Sequence, residues 1–259
     1  MKKLALAALF VAASASAGTL EQNFDKTYDV RPGSTISLGN TNGRIHVKSW
    51  DQPRVRIQAV RRAESRDNDT LKQAMSQLRI EVSQTPNALR IATIYPKKSD
   101  SGFFDWIAGT NVSLSVTYEL TVPRQSNLDI EDTNGGLDID NIQGSLKLET
   151  TNGRIEIDHC SGDIDAETTN GGITAELLSL NAGKPIRLET TNGGIHVRLP
   201  RNAALAVDAA NTNGSIETDL PVQATSTGRK HALRGTINGG GSELRLRTTN
   251  GGITISASK

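Results

Sequence analysis

The chain has 259 residues, 29 Lys and Arg against 28 Asp and Glu, and only 3% aromatic residues. That balance excludes a basic nucleic-acid face with interleaved aromatics, since Arg61, Arg62 and Arg66 are diluted by Glu64, Asp67 and Asp69. The single cysteine, Cys160, excludes an internal disulfide.

Residues 1–17 read as a secretory signal peptide. Lys2 and Lys3 form its basic start, Leu4 to Ala13 its apolar core, and Ala15-Ser-Ala17 a small-residue cleavage site. The apolar run is too short to span a bilayer, and no later run is long enough, so no transmembrane segment is expected. No Cys follows the cleavage site to carry a lipid. The expected location is the periplasm, the cell surface or the medium.

Residues 18–124 predict a β-rich N-terminal cap subdomain. A first repeat-like unit, Ile36 to Val47, is followed by strands around Val55–Val60, Leu78–Val82, Leu89–Tyr95 and Val112–Val122. Between them Asp69 to Leu78 predicts a short helix capped by Asp69. Phe103, Phe104, Trp106 and Ile107 gather the aromatics of an aromatic-poor chain between polar flanks. They predict either a plug for one end of the fold or an apolar contact for a partner.

From about residue 125 to 259 the pattern becomes a repeat. Thr-Asn-Gly recurs at Asn42, Asn134, Asn152, Asn170, Asn192, Asn213 and Asn250, and an aliphatic residue stands three past each Asn. Asn134, Asn152 and Asn170 fall eighteen residues apart, and each unit holds two strand-turn halves. Within a half the alternation is strict: Leu146, Leu148, Ile155 and Ile157 face one way, Lys147, Glu149, Glu156 and Asp158 the other. A looser copy, Ile237-Asn-Gly-Gly240, lies in the longer stretch from Leu220 to Gly241.

The fold class expected is all-β. The first architecture is a β-solenoid of single-stranded, parallel β-helix-like repeats of about 18 residues, closed by the β-rich cap. The alternative is an antiparallel β-meander or sandwich in which each Asn-Gly is a tight hairpin turn. In the solenoid the seven Asn residues become stacked structural corners, with Gly supplying the backbone freedom.

Candidate sites are few. Glu131, Glu149, Glu167 and Glu189 each stand three before their Asn and predict a carboxylate column able to collect Ca²⁺, with Lys147 and Arg187 placed to neutralise it. A second acidic set comprises Asp138 with Glu156, and Asp140 with Asp158 and Glu176. His46 and His196 share an outward position that varies freely between copies, which reads as solvated surface and not as a metal site. Cys160 occupies the column of Ile142 and reads as a small buried hydrophobe despite its neighbour His159. No His-Glu-x-x-His, no Gly-x-Ser-x-Gly and no irregular Asp, Arg and Lys cluster appears, so neither catalytic residues nor a cofactor is expected.

Val30-Arg-Pro-Gly-Ser-Thr-Ile-Ser-Leu38, Thr41-Asn-Gly-Arg-Ile-His-Val-Lys-Ser-Trp50, Tyr118-Glu-Leu-Thr-Val-Pro123 and the serial Gly-x-Ile-x-Ile halves together make a layout. It resembles the bacterial putative-adhesin family of β-strand repeat proteins, catalogued as a domain of unknown function. The likeness covers nearly the whole mature chain, and differs in that the corner here is Thr-Asn-Gly throughout. It implies a β-repeat fold and brings no catalytic residues.

The expected function is an exported, non-catalytic, adhesin-like binding or scaffold protein of the bacterial envelope, its partner a protein or glycan of the envelope or a host surface. The alternative is a periplasmic structural or envelope-stress protein with no adhesive role. A polysaccharide-active β-helix enzyme comes third.

Overall fold

The computed structural model describes residues 13–96, 112–180, 183–226 and 231–258, apart from residue 17. The segment carrying Phe103, Phe104, Trp106 and Ile107 lies outside them. The described chain is almost all strand, in two eleven-stranded sheets of mixed parallel and antiparallel pairing around one apolar core.

The N-terminal part opens with β1 (Ala13–Ser16), inside the stretch read as a leader, paired antiparallel to β2 (Thr19–Asp29). Then come β3 (Thr35–Gly39), β4 (Ile45–Trp50) and the long β5 (Arg54–Glu64). Helix α1 spans Asn68–Gln77, and its cap is Asp67, not Asp69. Asp67 has extended backbone angles, so its carboxylate reaches back to the Thr70 amide at 2.7 Å. Asp69 instead sits in the first turn, where a negative charge suits the helix dipole. Strands β6 (Arg79–Thr85), β7 (Ala88–Ile94) and β8 (Ser113–Pro123) complete this part.

In the centre, β9 (Asn127–Asn134), β11 (Leu146–Asn152), β13 (Ile164–Asn170) and β15 (Ile186–Asn192) run parallel in one sheet. Strands β10 (Leu137–Asp140), β12 (Ile155–Cys160), β14 (Ile173–Leu177) and β16 (Ile195–Leu199) do so in the other. Each Thr-Asn-Gly therefore carries the chain from one sheet to the other. Equivalent residues are register partners: Leu148 pairs with Ile130 and Ala166, and Ile155 with Leu137 and Ile173. Antiparallel pairing is confined to the two ends, at β1–β2, β2–β5, β5–β8 and β6–β7 and again beyond β16. The molecule thus has two facing layers, as a sandwich does, with a parallel centre.

Period-2 alternation explains the burial. Leu148, Ile155, Ile157, Leu188 and Ile195 are all 0% exposed, while Glu149, Glu156 and Glu189 point outward. Each such aliphatic side chain stabilises by about 1.5–3 kcal/mol on burial. Small branched side chains suit the narrow gap between the sheets. The fully buried aromatic Tyr118 sits at the N-terminal end, paired in register with the small Ala59 of β5. One continuous cluster runs from Ile36 to Ile255 and so crosses residue 124 without a break.

The C-terminal part departs from chain order. After β17 (Leu205–Asn213) and β18 (Ile216–Thr218), the chain makes β19 (Val222–Ser226) and β20 (Ala232–Ile237), which pair antiparallel. The last strands, β21 (Ser242–Asn250) and β22 (Ile253–Ala257), insert between earlier ones. β21 lies between β15 and β17, and β22 between β16 and β18. The Ile237-Asn-Gly-Gly240 copy is not a corner of the stack. Asn238, Gly239 and Gly240 all take positive φ (48°, 85° and 86°) in a tight turn, and the Asn238 amide donates to the Arg201 and Ala203 carbonyls.

Candidate functional site

The seven Thr-Asn-Gly asparagines form one line. In spatial order it runs Asn42, Asn134, Asn152, Asn170, Asn192, Asn250, Asn213, and each Nδ2 donates to the Oδ1 before it at 2.8–2.9 Å. The line ends at Asn42, whose Nδ2 donates to the Leu114 carbonyl at 3.3 Å. Their side chains are exposed or half-buried, and every amide in the middle both gives and accepts a bond.

The outward Glu column lies on the same sheet. Glu149 is the register partner of both Glu131 and Glu167, and Glu167 of Glu189. Like charges side by side repel, and basic neighbours offset this at two of the four. Lys147 Nζ lies 3.0 Å from Glu149 and 3.9 Å from Asp129. Arg187 reaches Glu189 at 2.7 Å and Asp165 at 3.4 Å, and Arg245 approaches Glu189 at 3.7 Å. The Glu and Asp neighbours hold Lys147 and Arg187 above their ordinary pKa. Among the described residues no ion pair reaches Glu131 or Glu167. Beyond Glu189 the column passes to Arg247, which ends the run of like charge.

If this column collected Ca²⁺, millimolar Ca²⁺ added after chelation would raise the melting midpoint. The ion pairs at Glu149 and Glu189 predict an unchanged midpoint instead, and differential scanning fluorimetry decides between the two. Exposed pairs of this kind stabilise by no more than about 1 kcal/mol each.

The second acidic set is on the other sheet. Asp138 pairs in register with His46 and Glu156, and Asp158 with Asp140 and Glu176. Burial pushes the Glu156 carboxyl up, and its hydrogen bond with Asp138 adds to the rise. At Asp138 the same burial is outweighed by Arg44, whose guanidinium forks onto it, with Nη2 2.9 Å from Oδ1 and Nε on Oδ2, and its pKa falls. Arg198 reaches Glu176 at 3.2 Å.

The remaining candidates are not brought together. His46 neighbours Asp138, whereas His196 stands several strands away between Thr174 and Thr254. Among the described residues no group of three or more His, Cys, Asp and Glu is placed to hold a metal. Cys160 is 0% exposed, its Sγ packed against the Ile142 amide, and burial pushes its thiol up to about 12. His159 takes positive φ at a bulge, which aims its ring outward, with Nδ1 3.7 Å from Asp140. Among the described residues no helix is long and apolar enough to cross a membrane.

One residue that sequence reading passed over stands out. Asp132 occupies the inward column two before the Asn, where Thr150, Thr168, Thr190 and Thr248 stand in other units. Its departure from Thr was the available signal.

No curated protein is detectably similar in sequence. Among solved structures, a "putative cell adhesion protein" from Clostridium sporogenes is similar over 91% of this chain and all of its own, at 12% identity and a TM-score of 0.47. A "putative adhesin" from Bacteroides fragilis covers 91% of this chain and 97% of its own, at 14% identity and a TM-score of 0.40. A "putative lipid binding protein" from Parabacteroides distasonis covers 92% and 97%, at 11% identity and a TM-score of 0.25. The Toastrack DUF4097 family model matches residues 34–256, almost the whole stack of strands, and the chain belongs to that family.

Proposed function

We propose that this protein is an exported, non-catalytic scaffold of the cell envelope, structural first and adhesive second. The observation that carries this is the continuous stack itself. Its core runs unbroken from Ile36 to Ile255, and its asparagines are linked end to end. In this reading each central strand pair is one coil of a flattened β-solenoid, residues 125–259 form the rod and residues 18–124 its cap. The leader is removed after Ala17, and Phe103, Phe104, Trp106 and Ile107 plug one end or present a contact.

Much of the outward surface is occupied by charges that pair with one another, such as Lys147 with Glu149 and Arg187 with Glu189. Side chains so engaged suit a rod that keeps its shape better than a surface held ready for one ligand. The adhesive reading draws on Glu131 and Glu167, which no ion pair among the described residues engages, beside exposed Thr133 and Thr169, a polar strip suited to a protein or glycan.

Protease treatment of a C-terminally tagged copy, on intact and on outer-membrane-permeabilised cells, tests the proposal. Protection until permeabilisation is the expected result and supports an internal structural role. Digestion on intact cells would overturn it in favour of surface display and adhesion.

A further inference from the structure

Side chains in the inward column two before each corner Asn share one role, which is to donate a hydrogen bond to a backbone carbonyl of the neighbouring coil. Thr150 Oγ1 donates to the Gly135 carbonyl at 3.1 Å, Thr168 to Gly153 at 2.9 Å, Thr190 to Gly171 at 2.7 Å and Thr248 to Gly193 at 2.9 Å. At the two ends of the column an amide does the same. Asn211 Nδ2 donates to Gly251 at 3.3 Å, and Asn40 Nδ2 to Val116 at 3.2 Å. The seventh member is Asp132, which as a carboxylate has nothing to donate.

Asp132 is 6% exposed, and neither of its carboxylate oxygens has a well-aligned hydrogen-bond partner, only the nearby Thr133 and Asn134 amides. Its acceptor by analogy is the Gly43 carbonyl, the corner of the preceding coil. Asp132 Oδ2 and Gly43 O each lie 2.2 Å from the point where a Cβ on Gly135 would sit, so they are within twice that distance of each other. Two acceptors so placed in a buried corner repel unless a proton lies between them.

We infer that in mildly acidic solution Asp132 is the neutral carboxylic acid in the folded protein, donating its proton to the Gly43 carbonyl, and that it then forms an acid-tightened joint between the β3/β4 coil and the regular stack. The surroundings favour the neutral form. Glu131, Glu149 and Glu167 line the groove at its side, all of the same sign as an ionised Asp132. Across the corner, the Tyr95 hydroxyl is engaged with Asn40 Oδ1 at 3.1 Å and the Asn42 carbonyl at 3.0 Å, and is not spent on Asp132. Among the described residues no cationic side chain pairs with it. Burial pushes the Asp132 carboxyl up to about 6, against the weaker pull of the Thr133 and Asn134 amides.

The sign of the linkage follows. The unfolded chain releases this proton near the ordinary Asp value, whereas the folded chain keeps it until about pH 6. Over that interval the folded state binds more protons, so stability falls as pH rises and then levels off.

The test uses the full chain with ¹³C-labelled Asp, titrated by NMR from about pH 4 to about pH 8, with thermal melts alongside. One Asp carboxyl signal, missing from Asp132→Asn, is expected to titrate near pH 6. The melting temperature of the wild type should fall over this range relative to Asp132→Asn and Asp132→Thr, which restore a permanent donor. Titration of every Asp in the ordinary range, or a melting difference independent of pH, would overturn the inference. Should either variant fail to fold, the wild-type titration still decides, because it needs no substitution.

Discussion

Gly171→Ala should destabilise the protein by at least about 3 kcal/mol, at the upper end of what overpacking costs. A Cβ at this corner would stand 1.9 Å from the Gly153 carbonyl oxygen and 2.5 Å from its carbon. Those are backbone atoms, and they have no rotamer to yield. The corner is also tied twice to the next coil: the Gly171 amide donates to Asn192 at 3.0 Å, and its carbonyl accepts from Thr190 at 2.7 Å. Moving it away from Gly153 therefore strains the next coil. Gly136→Ala is the matched control, since its Cβ would meet nothing nearer than the Arg154 carbonyl at 3.4 Å. It should stay within about 0.5 kcal/mol of wild type. Chemical denaturation followed by circular dichroism measures both. Equal midpoints for the two variants would show that the close corner approach does not hold the stack together.

Stopping the chain after Gly241 should have a larger effect still. This removes β21 and β22, and with them Leu244, Leu246, Ile253 and Ile255, each at most 1% exposed. At about 1.5–3 kcal/mol apiece, their loss rivals the whole stability of an ordinary domain, about 5–15 kcal/mol. The geometry compounds the loss, because the removed coil is internal. Its absence parts β15 from β17 and β16 from β18, and breaks the asparagine line between Asn192 and Asn213. The truncated chain is expected to lose its cooperative melt. A melt unchanged from wild type would mean that β17 and β18 can close directly onto β15 and β16, which carry the same corner motif.

Much of this was legible in the residues. The alternation of Leu146, Leu148, Ile155 and Ile157 with charged neighbours specifies buried and outward faces, because a strand has only two sides. The Thr-Asn-Gly spacing likewise specifies where the chain turns. Two things resisted reading. Local pattern does not say whether Asn-Gly turns the chain within a sheet or carries it to the other, since glycine serves both: Gly239 for its positive φ, Gly153 because a Cβ would stand 1.9 Å from the Gly135 carbonyl oxygen. Asn238 turns the chain over within one sheet, from β20 past β17 to β21, and Asn152 carries it to the other sheet. Caps are equally local, yet Asp67 and Asp69 differ only in which one the preceding chain leaves in an extended conformation.

What the sequence determined by itself is the strand content, the inward aliphatic columns, the repeat of Thr-Asn-Gly and the family resemblance, all properties of residues within a few positions of one another. Tertiary structure alone decided which strands are neighbours. It placed the last coil between β15/β16 and β17/β18, a slot that any Thr-Asn-Gly unit matches in motif and that only the whole chain's packing assigns. It also set Asp132 against the Gly43 carbonyl, 89 positions earlier in the chain. An acid in a column of donors becomes consequential only when a distant carbonyl is folded against it.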